Sequence, residues 1–224
     1  DRDPVAQIDR IFELARRFDV DIDFHLDFDI NPDGMTVWRV CENAERFGWG
    51  GRVTIGHVSK LSALPPDALG DVARRMADAG VALTVLPATD LFLMGSGHDH
   101  KIPRGVAPLA PLAKAGVCCA VSTNNVLNPF TPFGDCSLLR MANLYANIGQ
   151  IGSRDGHRDC LGYVTSEPAR IMRLGDYGIA VGNPADLVLL DCTTREDAIR
   201  EIALPLAGFK AGRRTFTRDR AILH

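Results

Sequence analysis

Apolar and polar positions along the chain predict a series of alternating strands and helices. Four short apolar runs are typical of strands: 20–25, 52–57, 81–86 and 117–122. The segments before and between them place apolar residues at helical spacing and end close to turn residues or charged residues: 5–17, 35–47 and 65–80. Repeated strand–helix units predict parallel strands that are covered by helices.

The length of these units matches that of a (β/α) barrel. His25 and His57 end successive predicted strands and lie 57 − 25 = 32 residues apart, and Pro87 follows 87 − 57 = 30 residues later. A barrel of eight units in roughly 250 residues has about 31 residues per unit. The predicted strands are too few to close a barrel. Either the sheet is open, or half of a barrel lies outside this chain.

The remainder of the chain predicts a different arrangement. Two helical stretches, 135–150 and 161–174, follow the last predicted strand of the sheet. Residues 177–191 (YGIAVGNPADLVLLD) predict two short β-rich pieces around a Gly-Asn-Pro turn. The tail, 202–217, predicts further short strands.

Composition excludes several classes of protein. The 224 residues are 46% hydrophobic with a formal charge of −3, so the composition does not indicate a positively charged surface for binding nucleic acid. No apolar run approaches the roughly 20 residues of a membrane span, and no signal peptide is recognisable. The six cysteines lack CxxC spacing, which predicts a cytoplasmic protein. The chain begins with Asp1 rather than Met, which predicts a processed, trimmed or partial sequence.

The strand ends carry the candidate chemistry. His25 and His57 stand at equivalent strand ends, and the carboxyl ends of the strands form the active site of a barrel. If the first strand continued, alternation would place His25, Asp27 and Asp29 on one face and Phe28 on the other. Asp27 and Asp29 are then either proton carriers beside a metal site or solvated loop residues, and the pattern leaves both interpretations open.

The sequence resembles the amidohydrolase superfamily, most closely the bacterial cytosine deaminase branch and its relatives acting on triazine amines. The stretches that carry the resemblance occur in the family's order: FHLDFD, TIGHVSKL, STNNVLNPFTPFG and ARIMRLGDYGIAVGNPADLVLLD. It covers essentially the whole chain, and DYGIAVGNPADLVLLD is its most specific part.

This resemblance implies an α/β fold consisting of the C-terminal half of a (β/α)8 TIM-type barrel and the end of a small β-sandwich. The barrel portion would span 1–176 and the sandwich portion 177–224. The first half of the barrel, with the His-x-His pair that the family's first strand supplies, would lie outside this chain. A homo-oligomer, or pairing with that missing half, is therefore expected.

The resemblance also implies a metal-dependent hydrolase that acts on a non-peptide C–N bond of a small cyclic or amide-like molecule. A divalent cation, Zn or Fe, would activate water. The implied metal positions are His25, His57 and Asn124, and His57 and Asn124 are also implied to be catalytic. Asn125 and Phe130 stand where the family contacts its substrate.

Four positions depart from the family pattern. Asn124 replaces an aspartate that binds metal and accepts a proton, and Phe28 replaces the acid/base glutamate. Asparagine can offer a carbonyl oxygen to a metal but cannot take a proton. Asn125 and Asn128 also stand at aspartate positions. The mouth of the barrel, which is the site formed at the carboxyl ends of the strands, is therefore less negative than in the family. The alternative is therefore a catalytically impaired homologue that binds a ligand without turnover.

Other candidates are weaker. His98 and His100 mimic a His-x-His pair, but glycines flank their segment, which predicts a solvated loop. The HxE and PCxxC motifs of the zinc nucleoside deaminases are absent from the sequence, which excludes that class.

Overall fold

A computed structural model of the chain describes residues 2–222. The chain forms two compact units, Asp1–Cys136 and Ser137–His224. The unit boundary precedes the predicted division at 176/177 because the helices that follow residue 137 pack against a helix near residue 198. The division into a barrel portion and a sandwich portion stays a prediction. None of the helices between residues 2 and 222 combines the length and the apolar character that spanning a bilayer requires.

The first unit alternates helices and strands along the chain. Its elements are α1 (Pro4–Phe18), β1 (Ile22–Leu26), α2 (Val37–Phe47), β2 (Val53–His57), a short 3₁₀ helix (Ser59–Ala63), α3 (Pro66–Ala79), β3 (Val81–Val85), α4 (Pro87–Leu93), α5 (Leu109–Ala115) and β4 (Cys119–Val121). Each strand lies within a few residues of a predicted one. The short helix α4 was not predicted.

The four strands form one parallel sheet in the order β1-β2-β3-β4. Helices occupy the connections because parallel neighbours need a crossover between them. The central strands β2 and β3 bury Val53, Ile55 and Leu83, in keeping with parallel sheets that are covered by helices. The predicted parallel α/β arrangement is confirmed, and the carboxyl ends of all four strands lie at one edge of the sheet.

Helix α1 shows how the sequence pattern becomes packing. Ile8, Phe12 and Ala15 form the buried stripe of this helix. The carboxylate of Asp3 accepts a hydrogen bond from Ala6 N (2.9 Å) and caps the N-terminus. The helix ends at Asp19, which adopts the left-handed conformation. The helix predicted over 5–17 is therefore confirmed.

The second unit combines helices with an antiparallel sheet. Its elements are α6 (Leu138–Ile148), α7 (Arg154–Gly162), α8 (Ser166–Ile171), β5 (Leu187–Leu190), α9 (Arg195–Arg200), β6 (Pro205–Lys210) and β7 (Arg213–Thr217). The strands pair in the order β5-β6-β7. The helix predicted over 161–174 is wrong in extent, since α7 ends at Gly162 and α8 begins at Ser166. The first predicted β-rich piece of 177–191 is also wrong, because residues 177–186 form no strand.

Candidate active site

The two histidines meet at the carboxyl ends of β1 and β2. Strand register places His25 opposite Gly56 and Leu26 opposite His57. His25 Nδ1 lies 3.1 Å from His57 Nε2. The ring centroids are 4.8 Å apart and the rings are nearly perpendicular. The sequence predicted that the two histidines stand at equivalent strand ends, and the structure confirms it.

The backbone turns sharply at the second histidine. His57 has a φ of 68° and Val58 a φ of 49°. A left-handed conformation is unusual for a β-branched residue such as valine and costs free energy. Val58 is fully buried, and its N–H donates to Leu26 O (3.3 Å) and Gly56 O (3.1 Å). Packing and hydrogen bonds thus hold the turn that orients the His57 ring.

A buried carboxylate lies behind His57. Asp90, in the first turn of α4, is fully buried. Its Oδ1 atom lies 2.6 Å from His57 Nδ1, and its Oδ2 atom accepts from Leu86 N at 3.4 Å. Burial raises the pKa of the Asp90 carboxyl, while the hydrogen bond from His57 acts in the opposite direction.

Sequence reasoning missed Asp90. It lies just beyond the carboxyl end of β3, within the mainly apolar segment LPATDLFL. A charged residue in such a segment is buried only with a partner. An aspartate within an apolar segment at the end of the third predicted strand is therefore the feature of the sequence that could have identified Asp90.

Asn124 follows β4 and reaches the other side of His57. Its Nδ2 atom lies 3.2 Å from His57 Nε2. His57 therefore contacts Asp90 through one ring nitrogen, and His25 and Asn124 through the other. Residues from the ends of the other three strands therefore converge on the His57 imidazole at the end of β2.

The predicted substrate-binding residues belong to the turn that follows Asn124. Asn128 Nδ2 donates to Asn125 Oδ1 (2.7 Å), and Asn128 Oδ1 accepts from Phe130 N (3.0 Å). The hydroxyl groups of Thr89 and Thr131 lie 2.5 Å apart and are buried, which ties this turn to α4. The side chain of Phe130 is exposed.

The first strand does not continue to Asp29, so the condition for placing His25, Asp27 and Asp29 on one face is not met. The strand ends at Leu26 and Asp27 adopts a φ of 51°. The Asp27 carboxylate is buried and turned to α2, where it accepts from Thr36 N (2.9 Å), Thr36 Oγ1 (3.0 Å) and Val37 N (3.0 Å). These contacts favour a structural role for Asp27 as a cap of the helix.

Asp29 lies on the surface of the same loop. Its carboxylate accepts from Asn31 N (2.8 Å) and lies 3.4 Å from Lys60 Nζ. The Lys60 ammonium group also donates to Asp33 O (2.8 Å). This environment matches the second interpretation of the sequence, in which Asp29 is a solvated loop residue.

Phe28, which alternation placed on the far face, lies over His57 instead. The two ring centroids are 4.3 Å apart. The chain turns at Asp27, and this turn directs the next side chain into the mouth. Phe28 therefore gives the mouth an apolar wall at the position where the resemblance implies a glutamate.

The residues of the mouth fit part of a metal site. A histidine nitrogen and an amide oxygen are ligand types that Zn and Fe accept, and a half-turn of the Asn124 amide would direct its oxygen towards His57. Among residues 2–222, however, no group of three His, Cys, Asp or Glu side chains could hold a metal ion. A catalytic zinc usually has three protein ligands, so these residues would need a further ligand.

Within residues 2–222, the structure records no contact between residues 98–100 and the side chains around His57. All three of these residues are exposed, and His100 Nδ1 bonds the adjacent Asp99 carboxylate. The predicted solvated loop is confirmed.

Comparisons with known proteins agree with this geometry. The sequence profile of the amidohydrolase family matches residues 2–215. A pterin deaminase of Rhizobium rhizogenes is 34% identical over 188 residues, which are 82% of this chain and 42% of that protein. An N-isopropylammelide isopropyl amidohydrolase of a Pseudomonas species is 27% identical over 210 residues, 93% of this chain and 49% of that protein.

A solved structure shares the fold across nearly the whole chain. The crystal structure of 5-methylcytosine deaminase from Klebsiella pneumoniae, liganded with 5-fluorocytosine, has a TM-score of 0.93 and 26% identity. The match covers 98% of this chain and 54% of that one. The chain thus spans between 42% and 54% of the length of these three proteins.

Proposed function

Because the chain belongs to the amidohydrolase family, we propose that it carries part of the active site of a hydrolase that acts on a non-peptide C–N bond. The substrate would be a small cyclic amine or amide-like molecule. The observation that carries this proposal is the position of His57 Nε2, which lies within hydrogen-bonding distance of both His25 and Asn124. The three relatives described above are named as deaminases or amidohydrolases.

The parallel sheet of the first unit would be the second half of a (β/α)8 barrel. Four parallel strands with helical crossovers support this assignment, as does the coverage of about half of each relative. The antiparallel sheet of the second unit would belong to the small β-sandwich. Another chain segment, or a second copy, would complete the barrel and supply further metal ligands.

A divalent cation, Zn or Fe, would be held in this mouth by His25 and the carbonyl oxygen of Asn124, with His57 beside them. When bound, it supplies Lewis acidity at the reacting C–N carbon. His25 is the exposed histidine of the pair, which leaves its ring accessible from the mouth.

His57 would carry the proton of the reaction. General bases are side chains within hydrogen-bonding reach of the proton that they accept. His57 Nε2 faces the mouth, whereas the carboxylates of Asp27 and Asp29 bond to backbone groups of their own loop and of α2. We therefore assign proton transfer to His57 rather than to the two aspartates.

The mouth would favour a ring-shaped substrate that is neutral or anionic. Phe28 and the exposed Phe130 supply apolar surface at its wall and at the following turn. Asn125 and Asn128 present amide groups where the family pattern has carboxylates. Neutral amides form hydrogen bonds to a heterocycle without repelling an anionic form of it.

Release of ammonia or an alkylamine tests the proposal. The protein with its barrel completed, loaded with Zn²⁺ or Fe²⁺, is incubated with pterin, 5-methylcytosine and N-isopropylammelide, the compounds on which the relatives' names are based. We expect turnover of a substrate of this class, and a loss of about 10²-fold or more in His57→Gln. Asp29→Asn is the control, because Asp29 is exposed and bonds to its own loop.

Binding of these compounds without product, with either metal, would contradict the proposal and favour the non-catalytic alternative. The names of the relatives give that alternative no support.

A further inference from the structure

We propose that Asp90 is a positioning residue that fixes His57 in the tautomer with its proton on Nδ1 and its lone pair on Nε2. The inference rests on the proposed function for its catalytic meaning, since a proton acceptor needs a free lone pair at the atom that faces the reaction. The tautomer itself is a property of the protein without substrate.

The contacts of His57 agree with one tautomer. A carboxylate only accepts hydrogen bonds, so Asp90 Oδ1, 2.6 Å away, requires a proton on His57 Nδ1. A neutral imidazole then has its lone pair on Nε2. The two groups near Nε2 can both donate to it: His25 Nδ1 at 3.1 Å and Asn124 Nδ2 at 3.2 Å. With the other tautomer, the Asp90 carboxylate would face a lone pair on His57 Nδ1 at 2.6 Å.

Asp90 is held so that it cannot easily turn away. Its side chain is fully buried, and its second oxygen accepts from Leu86 N. The backbone N–H of Asp90 donates to Leu86 O (3.0 Å), which closes the first turn of α4 directly behind β3. A buried carboxylate without its donors carries a large desolvation penalty, so the interaction between Asp90 and His57 constrains both side chains.

Replacement of the carboxylate by an amide makes a specific prediction. In Asp90→Asn the amide oxygen and the NH₂ group must share the contacts with Leu86 N–H and His57 Nδ1. Leu86 N–H can only donate, so the oxygen turns to it and the NH₂ group faces His57 Nδ1. His57 must then accept at Nδ1, and its proton moves to Nε2. The lone pair that faced the mouth is lost.

Long-range ¹H–¹⁵N correlation spectra of ¹⁵N-histidine-labelled protein, free of metal and substrate, distinguish the two tautomers. The His57 signals are assigned by their loss in His57→Gln. We expect the Nδ1–H pattern in the parent protein and the Nε2–H pattern in Asp90→Asn. Asp27→Asn, the same change at a buried carboxylate that bonds to α2, is expected to leave the His57 pattern unchanged.

Asn124→Ala tests whether the tautomer of His57 depends on the contact at Nδ1 or on the contacts at Nε2. It removes a donor to Nε2 without altering Asp90, so the Nδ1–H pattern is expected to persist. An Nε2–H pattern in the parent, an unchanged pattern in folded Asp90→Asn, or a switch in Asn124→Ala would overturn the proposal. If Asp90→Asn fails to fold, the parent and Asn124→Ala spectra decide the question.

These spectra separate this inference from the proposed function. A protein that shows the expected tautomers but turns over no substrate contradicts the function and leaves the role of Asp90 intact. A protein that is active but has the Nε2–H pattern contradicts the role of Asp90 alone.

Discussion

At the scale of single residues, the chemistry of this protein centres on His57. Its ring is edge-on to His25, covered by Phe28 and bonded to Asp90. These neighbours come from the ends of two different strands, β1 and β3. Because His57 contacts all of these residues, conservative substitutions of them test how each one affects the position and protonation of its ring.

In the protein with its barrel completed, Asn124→Asp is expected to strengthen the binding of Zn²⁺ or Fe²⁺ by about tenfold or more, because an anionic oxygen replaces a neutral amide beside the cation. Competition with a chelating dye measures the affinity. Asn125→Asp is the matched control, since it adds the same charge at a side chain that bonds to Asn128 rather than to His57.

Two further predictions concern metal binding. We expect the chain alone to bind these ions weakly or not at all, since it contributes fewer than the usual three ligands. In the protein with its barrel completed, we expect His25→Ala to abolish binding. Stoichiometric metal that survives dialysis of the chain alone would contradict the assignment of ligands, as would an equal gain in affinity from Asn125→Asp.

At the scale of elements, the sequence predicted the sheet well because the apolar runs of parallel strands are local signals. The runs at 52–57 and 81–86 match β2 and β3 closely. The two histidines could be placed together for the same reason, since strand ends in register share an edge.

What failed was the prediction of the loops, where local pattern gives way to long-range hydrogen bonds. Alternation put Asp27 in the mouth and Phe28 outside it, but Asp27 bonds to Thr36 and Val37, nine and ten residues ahead. This contact turns the chain and brings Phe28 over His57. Asp90 was missed because the short helix that carries it follows β3 without an intervening loop signal.

Asp27→Ala tests the structural role of that aspartate. The variant leaves the N–H groups of Thr36 and Val37 at the start of α2 without an acceptor, and is expected to cost about 1–2 kcal/mol of stability. Urea denaturation measures the loss. Asp29→Ala, at an exposed position of the same loop, is expected to change stability by no more than about 0.5 kcal/mol.

Activity separates the two interpretations of Asp27. If Asp27→Asn folds normally but loses all turnover, Asp27 is a proton carrier and our correction of its role is wrong.

Helices α1 and α2 are joined by a charged contact that predicts a pH dependence. Arg39 donates to both carboxylate oxygens of Asp9 at 2.7 Å, and Asn43 Nδ2 also donates to it. The Arg39 hydrogen bonds, followed by that from Asn43, lower the pKa of Asp9 to about 2. A lowered pKa in the folded state means that the ionised carboxylate stabilises the fold above its ordinary pKa, and that this stabilisation is lost as the pH falls towards 2.

Asp9→Asn is therefore expected to lower the melting temperature by a few degrees near neutral pH, since partly exposed pairs contribute up to about 1 kcal/mol. The difference from the parent should shrink as the pH falls below the ordinary pKa of an aspartate. Calorimetry across that range measures it. Glu13→Gln, which disrupts an exposed pair with Arg10 in the same helix, should have little effect. A pH-independent difference for Asp9→Asn would contradict this explanation.

At the scale of the whole molecule, the parallel sheet of the first unit raises a question of completeness. Its order leaves β1 and β4 as the edge strands among the described residues. Exposed edges offer unpaired N–H and C=O groups that recruit further strands. In the proposed barrel, strands from another segment or another copy would occupy both edges, and the relatives' greater length agrees with this.

The chain alone is therefore expected to self-associate in a concentration-dependent way, which sedimentation velocity measures. Ile22 N–H donates to the carbonyl oxygen of Arg52, the residue just before β2 (2.9 Å). Because successive N–H groups of a strand point to opposite sides, the N–H of Asp23 faces the open edge. Asp23→Pro removes that donor and should weaken association. Asp23→Asn, which removes the charge but keeps the N–H, is the matched control and should weaken it less. A chain that stays monomeric at all concentrations and melts in one cooperative transition would show that the sheet needs no completion, and the half-barrel assignment would then have to be abandoned.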